Sequence, residues 1–190
     1  MSELRLRFAT EADVPTLQRW DLDPAVISAT TDDPDETVAY GKDNDWRENI
    51  AMHRDGVWEH WIAELDGRPI GAMQMCDPHR EPTNYWGEIE PNLRALDIWI
   101  GEPADRGHGL GEEMMRLGIE RSFANPSVAA IIIDPLNSNT RAHVFYQRLG
   151  FMPTHRQVFN DEDDCLVHKL TRADWLAQPN SKALKETDRQ

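Results

Sequence analysis

Apolar residues along this chain change period repeatedly, and each change marks the edge of an element. Leu4, Leu6 and Phe8 alternate with arginines and predict an edge strand. Thr10-x-x-Asp13 is a helix-entry signal, and a short helix follows through Trp20. Residues 32–52 are expected to form a second helix, entered through Asp33-Pro34 and an acidic first turn. Residues 57–65 and 69–75 read as strands joined by a tight Asp66-Gly67 hairpin turn. Residues 76–92 hold Pro78, Pro82 and Pro91 and form a loop long enough to be functional rather than connective.

The second half repeats the alternation of strand and helix. Residues 94–100 are apolar enough for a buried strand, and Leu110, Met114, Leu117 and Gly118 then recur at helical spacing up to residue 124. Val128-Ala-Ala-Ile-Ile-Ile133 is a β-branched run of the kind buried on both faces. Ala142, Phe145 and Leu149 predict a helix over 138–149, with Gly150 at its C-cap. Residues 154–159 and 165–170 close the pattern as a hairpin around the acidic turn 160–164, and the polar residues 179–190 are expected to fray. The order strand, helix, helix, three strands, helix, strand, helix, two strands predicts one α/β (α+β) domain over 1–178. Its central sheet is mixed and mostly antiparallel, with helices on both faces, and 179–190 forms a tail.

The most informative stretch is Arg106-Gly-His-Gly-Leu-Gly111, which turns the 94–100 strand into the next helix. Three glycines in six residues let the main chain bend sharply and approach a ligand closely. The unpaired N–H groups that open a helix suit a phosphate, so a polyphosphate ligand is the first hypothesis. The bland alternative is a plain helix-entry loop. A Walker loop would need a Lys after Gly111, and a dinucleotide fingerprint would need Gly-x-Gly-x-x-Gly instead of Gly107-x-Gly109-x-Gly111. The pattern that fits is Arg/Gln-x-x-Gly-x-Gly/Ala, supplied by Arg106, Gly109 and Gly111.

That loop resembles the pyrophosphate loop of the GCN5-related N-acetyltransferases. Downstream, Asn139-x-Arg141-Ala142-x-x-x-Tyr146-x-x-x-Gly150-Phe151 resembles the last block of the same family. The resemblance covers residues 3–175, nearly the whole chain. It implies acetyl-CoA as co-substrate, with no metal. Pantetheine would pair with the main chain of Ile98, Trp99 and Ile100, and the diphosphate would sit on Arg106, Gly107, His108, Gly109, Leu110 and Gly111. Asn139 would contact the pantetheine arm. Tyr146 matches the family's proton donor to the departing thiolate; its alternative is a packed aromatic beside Phe145. A phenol titrating near ~10 stays protonated at neutral pH while a thiol titrates near ~8.5.

Within the family, Arg94-x-x-Asp97, His108-Gly-Leu-Gly111 and Asp134-Pro-Leu-Asn-Ser-Asn139 resemble the aminoglycoside 6′-N-acetyltransferases. The resemblance places Gln74, Asp97 and Asp134 around the substrate, with Tyr85 or Trp86 as an aromatic wall and a contribution from 161–164. Asp97 also stands out on its own, because a carboxylate within an apolar strand is costly unless it faces a ligand or partner. Its bland reading is a pair with Arg94 or Arg141, and that of Asp134 is a simple strand-to-turn Asp-Pro. The subgroup's tryptophan pair has no counterpart in Ile27-Ser-Ala-Thr-Thr31, where Trp46, Trp58 or Trp61 would have to substitute.

Composition narrows the alternatives. A net charge of −14 disfavours nucleic acid and suits either a cationic small-molecule amine or plain solubility, including in a salt-rich habitat. Two cysteines without a Cys-x-x-Cys, and histidines without ligand spacing, suggest neither a disulfide framework nor zinc. No signal peptide or membrane span is expected, which points to the cytoplasm, as a monomer or homodimer. The competing functions are acylation of another amine (a siderophore lysine precursor, with His79 near the third strand, a polyamine or a protein N-terminus) and a non-catalytic acyl-CoA sensor.

Overall fold

The computed structural model describes residues 2–41, 44–52, 56–159 and 163–179. Its strands are β1 (Leu4–Phe8), β2 (Trp58–Leu65), β3 (Arg68–Cys76), β4 (Leu93–Ile100), β5 (Ala130–Ile133), β6 (Met152–Phe159) and β7 (Asp163–Thr171). The helices are α1 (Val14–Asp21), α2 (Pro24–Thr30), α3 (Trp46–Ala51), α4 (Leu110–Ala124), α5 (Thr140–Arg148) and α6 (Arg172–Ala177). One seven-stranded sheet runs β1-β2-β3-β4-β5-β7-β6. Its pairs are antiparallel except β4 with β5. This is the mixed, mostly antiparallel sheet with helices that the alternation of periods predicts. The β2–β3 turn is built as expected, with Asp66 and Gly67 both in the left-handed region at φ 52° and 82°.

The two faces of the sheet are packed differently. On one, Met114, Met115, Ile119 and Phe123 of α4 cover Met73, Met75, Leu96, Ile131 and Ile133. On the other face, two separate clusters form. Val14, Leu17, Trp20 and Trp46 pack on Ile62, Ala72 and Trp99, whereas Trp86 and Phe159 pack on Cys76, Leu93, Ala95 and Ile132. Alternation along β4 puts Asp97 on this second face, between Ala95 of one cluster and Trp99 of the other. Gln74 is its partner across β3, opposite Asp97 in register. Asp97 and Gln74 therefore fall between two aromatic cores.

One expected helix is not formed. Residues 31–41 and 44–45 are irregular where a continuous helix over 32–52 was predicted, and helix occurs instead at α2 and α3. The Asp-Pro start signal acts one step earlier, at Asp23-Pro24, where the Asp23 carboxylate accepts from the Ala25 N–H at 2.8 Å. After Thr31, side chains capture the backbone donors that a helix needs. Thr31 Oγ1 accepts from Asp33 N at 3.1 Å, Asp33 Oδ1 from Asp35 N at 2.9 Å and Glu36 Oε1 from Thr37 N at 2.8 Å. Tyr40 and Gly41 then turn in the left-handed region, at φ 62° and 80°. The α6 helix, by contrast, has no counterpart in the predicted pattern. Thr171 caps it by accepting from Asp174 N at 3.1 Å. No helix of the described residues is long and apolar enough to cross a membrane.

At the end of β4, a Cβ on Gly101 would overlap the indole ring of Trp20, which is 1% exposed. Gly101→Ala is therefore expected to destabilise the fold by about 1–3 kcal/mol through overpacking. Urea unfolding measures it as a lower midpoint with an unchanged slope; an unmoved midpoint would mean that Trp20 simply shifts aside.

Candidate active site

The site begins where two strands part. β4 and β5 share only the pairs Leu93 with Ala130, Arg94 with Ile131 and Ala95 with Ile132. From Leu96 to Ile100 β4 runs on without β5, which remains paired with β7 to its last residue, Ile133. The two strands part there, and the edge of β4 from Leu96 onward is left unpaired by β5. The Ile100 carbonyl is already used, accepting from Arg106 Nε at 2.9 Å. Arg106 also donates to the Gly101 carbonyl at 3.0 Å and pairs with Asp23 at 3.1 Å. Its guanidinium locks the end of β4 to the start of α2, so its charge is already paired within the fold.

That main chain is open. Gly107 and Gly109 lie in the left-handed region at φ 79° and 83°, and nothing stands within 4 Å of where a Cβ would be on either. Among the described residues, no main-chain partner takes the N–H groups of Gly107, His108 or Gly109. Leu110 and Gly111 open α4, so their N–H groups lie before the first intrahelical bond. Five consecutive donors at the positive end of a fifteen-residue helix make a cradle that fits a diphosphate. Asn139 is the N-cap of α5. Its Oδ1 accepts from Ala142 N at 3.1 Å, and its amide NH₂ remains the group available to a ligand.

The polar hollow lies between the two aromatic clusters. Asp97 Oδ2 accepts from the Tyr40 hydroxyl at 2.6 Å, and Asp134 Oδ2 from the Tyr85 hydroxyl at 2.7 Å. Neither Arg94 nor Arg141 is the partner of Asp97; Arg94 pairs with Asp77 at 3.3 Å. Tyr85 is stacked on Phe159 with ring centroids 4.4 Å apart, and Trp86 meets both rings edge-on. Tyr146 is buried on α5 among Phe145, Phe151 and His168. Of the acidic turn, Asp163 accepts from Thr31 Oγ1 at 2.9 Å and Asp164 pairs with Arg156. Residues 161 and 162 lie outside the described set. His79 is exposed and bonds the Ile89 carbonyl at 3.0 Å.

Tyr40, Thr31 and Phe159 escape sequence reasoning. Tyr40 stands 57 residues from the carboxylate it meets, in a stretch whose local pattern suggests only helix. Of the tryptophans considered as an aromatic wall, Trp46 is buried with its Nε1 on Asp21 at 2.5 Å. Trp61 is buried under Phe8 and Arg121. Trp58 is half-buried beside Tyr85 on the Trp86–Phe159 cluster, and the rings bonded to the two carboxyls are those of Tyr40 and Tyr85.

Residues 9–159 match the acetyltransferase (GNAT) domain family. The chain belongs to that family. Among curated proteins it is similar to an aminoglycoside N(6′)-acetyltransferase type 1 of Klebsiella pneumoniae, 35% identical over 92 residues. That alignment covers 48% of this chain and 46% of the relative, so the chain spans about half the length of the relative it matches. A kanamycin resistance protein of Rhizobium radiobacter is 35% identical over 72 residues, covering 37% of this chain and 67% of that protein. Among solved structures, AAC(6′)-Ib in complex with ribostamycin and coenzyme A superposes with a TM-score of 0.80 at 25% identity, covering 93% of this chain and 97% of that one. Spermidine N-acetyltransferase of Vibrio cholerae, with coenzyme A and spermine, shares the fold at a TM-score of 0.70 and 17% identity, covering 91% of this chain and 98% of that one.

In this GNAT chain the hollow is electrostatically strained. Burial lifts the Asp97 carboxyl above its ordinary value, opposed by the hydrogen bonds from Tyr40 and the Ile98 main chain. Asp134 is pushed up to about 7, first by burial and then by the charges of Asp97 and Asp163, with Tyr85 opposing. Burial raises the Tyr146 phenol, and the fields of Asp97 and Asp134 raise it further. At neutral pH the site therefore holds a firmly protonated phenol and at least one carboxyl poised to exchange a proton.

Asp134 supplies a test. Its folded value near 7 exceeds the unfolded value of ~3.9, so between the two the folded state keeps a proton that the unfolded state has lost. The stability that this group contributes is thus present below about pH 4 and lost as pH rises through 7. Asp134→Asn should therefore raise the melting temperature relative to the parent at pH 8 and much less at pH 5. A difference that stays constant across that range would show that Asp134 titrates normally.

Proposed function

We propose that this GNAT chain transfers an acetyl group from acetyl-CoA to the 6′-amine of an aminoglycoside. The observation that carries this reading is the pair of carboxylates, Asp97 and Asp134, set beside the parting of β4 and β5 and walled by Tyr40 and Tyr85. A polycationic sugar needs anionic anchors and aromatic or apolar flanks, and a net charge of −14 concentrates such cations around the protein. The names of the two curated relatives support the same substrate class.

The chain's residues divide the work. Acetyl-CoA supplies the acetyl group as a thioester when bound. Gly107 through Gly111 hold the diphosphate on main-chain N–H groups, Ile98 to Ile100 line the pantetheine arm, and Asn139 offers its amide from α5. Gln74, in register with Asp97, hydrogen-bonds the sugar, while Asp97 and Asp134 gather the ammonium. An unperturbed aspartate near ~3.9 is a weak base for an amine. Burial strengthens both carboxyls, so they can accept the proton that the attacking nitrogen sheds. Tyr146 donates to the departing sulfur. Its raised phenol does not ionise readily, so it acts as a hydrogen-bond donor first. Full transfer to a thiolate near ~8.5 completes once the proton collected by the carboxylates can replace its own.

A thiol-release assay with acetyl-CoA should show turnover on kanamycin-type aminoglycosides that carry a 6′-amine, and none on polyamines or lysine derivatives. Turnover confined to polyamines would replace the substrate assignment while leaving the acetyl transfer. Asp97→Asn is expected to lower turnover by roughly 10²-fold with coenzyme A affinity preserved; equal loss of both would make Asp97 a structural residue. Tyr146→Phe should reduce kcat by a similar ~10²-fold, and an unchanged rate from pH 6 to 9 would remove the phenol from the reaction.

A further inference from the structure

We propose that Tyr40 is a positioning residue for Asp97: its phenol fixes one carboxylate oxygen so that the other faces the incoming amine. The proposal rests on Asp97 being the proton acceptor of the transfer reaction above. Three features of the fold support it. The Tyr40 hydroxyl lies 2.6 Å from Asp97 Oδ2, the length of a charge-assisted hydrogen bond. Its ring is set 5.2 Å from Trp99 and 6.1 Å from Trp46, so the phenol has little freedom to swing. The backbone is bent to deliver it: Tyr40 sits in the left-handed region at φ 62°, which an aromatic residue rarely adopts.

The segment leading into that bend is tied down along its length. Ala39 is fully buried, and its N–H donates to the Asp21 carbonyl at 2.8 Å. Thr31 bonds Asp163, and Asp32 accepts from Ser138 Oγ at 2.7 Å. A strained residue held by such anchors is expected to serve the site it points at. Asp97 receives a second hydrogen bond from the Ile98 main chain on its own strand. The other ionisable groups that interact with it are Asp134 at the end of β5, Tyr85 in the β3–β4 loop and Tyr146 on α5. Gln74 on β3 is neutral and opposite it in register. Asp21, on α1, acts on Tyr40. Tyr40 therefore relieves the burial of Asp97 without supplying a positive charge that would compete with the substrate.

The test is Tyr40→Phe, which removes only the hydroxyl. Carbon-13 NMR of aspartate carboxyls, with the Asp97 signal assigned through Asp97→Asn, should show the Asp97 midpoint moving to higher pH in the variant. The acid limb of kcat/KM should move the same way, with about a tenfold loss at pH 6 that fades towards pH 9. An unmoved Asp97 midpoint overturns the proposal. So does a pH-independent loss of activity that follows a fall in melting temperature, which marks Tyr40 as packing only. The carboxyl titration needs no substrate. A shifted midpoint in a protein inactive on every aminoglycoside would sink the substrate assignment and keep Tyr40, whereas robust turnover with an unmoved midpoint would do the reverse.

Discussion

The parting of β4 from β5 after Ala95 is the constraint on which the site depends. A buried sheet normally consumes every main-chain donor and acceptor along its strands. Here β5 gives its full length to β7, and β4 is left with one free side from Leu96 onward. Leaving that edge open is costly unless something occupies it. Arg106 takes the last carbonyls, at Ile100 and Gly101, and thereby fixes where the strand stops and the glycine loop begins. The rest of the edge is left without a strand partner on that side. The same parting lets Tyr146 on α5 share the electrostatic environment of Asp97 and Asp134 on the opposite face.

The second constraint is how the fold treats carboxylates. Asp13, Asp105 and Asp23 are each paired with an arginine, and each is held below the ordinary aspartate range by that partner or despite its burial. Asp97 and Asp134 are matched with tyrosines and are raised instead. Burial raises Asp97 and Asp134 and their tyrosines only partly offset it, whereas at Asp13 the hydrogen bonds from Arg7 and Thr10 outweigh burial. A guanidinium quenches the negative field as it stabilises it, whereas a phenol donates a hydrogen bond and leaves the charge available. A site intended for a cation gains from the second arrangement, and the raised carboxyl of Asp134 is the stability lost in maintaining it.

Much of this was legible in the sequence, and the exceptions have a common cause. The strands, the Asp66-Gly67 turn, the glycine loop and α4 depend on local period and turn chemistry, so residues within a few positions of each other suffice to read them. Asp97 stood out because a charge in an apolar strand contradicts its surroundings. The stretch 31–41 departs from the expected helix because Thr31, Asp33 and Glu36 bind nearby backbone donors, a competition that the Asp33-Pro34 start signal does not register. Tyr40 was invisible for a different reason. Its role exists only once α1, α3 and β4 have brought Asp21, Trp46 and Trp99 around it, and no local pattern encodes such a meeting.

The same division bears on what sets substrate choice in a fold shared with proteins named for quite different amines. The sheet and α4 are fixed by apolar packing, and Arg106 fixes the start of the glycine loop by hydrogen bonds to Ile100 and Gly101. The walls of the hollow come instead from the irregular segments 31–41 and 77–92, held by hydrogen bonds such as Thr31 to Asp163, Ser138 to Asp32 and Tyr85 to Asp134. These bonds end on carboxylates, the very groups a polycation seeks. Its ammonium groups would therefore compete with the tethers of these segments.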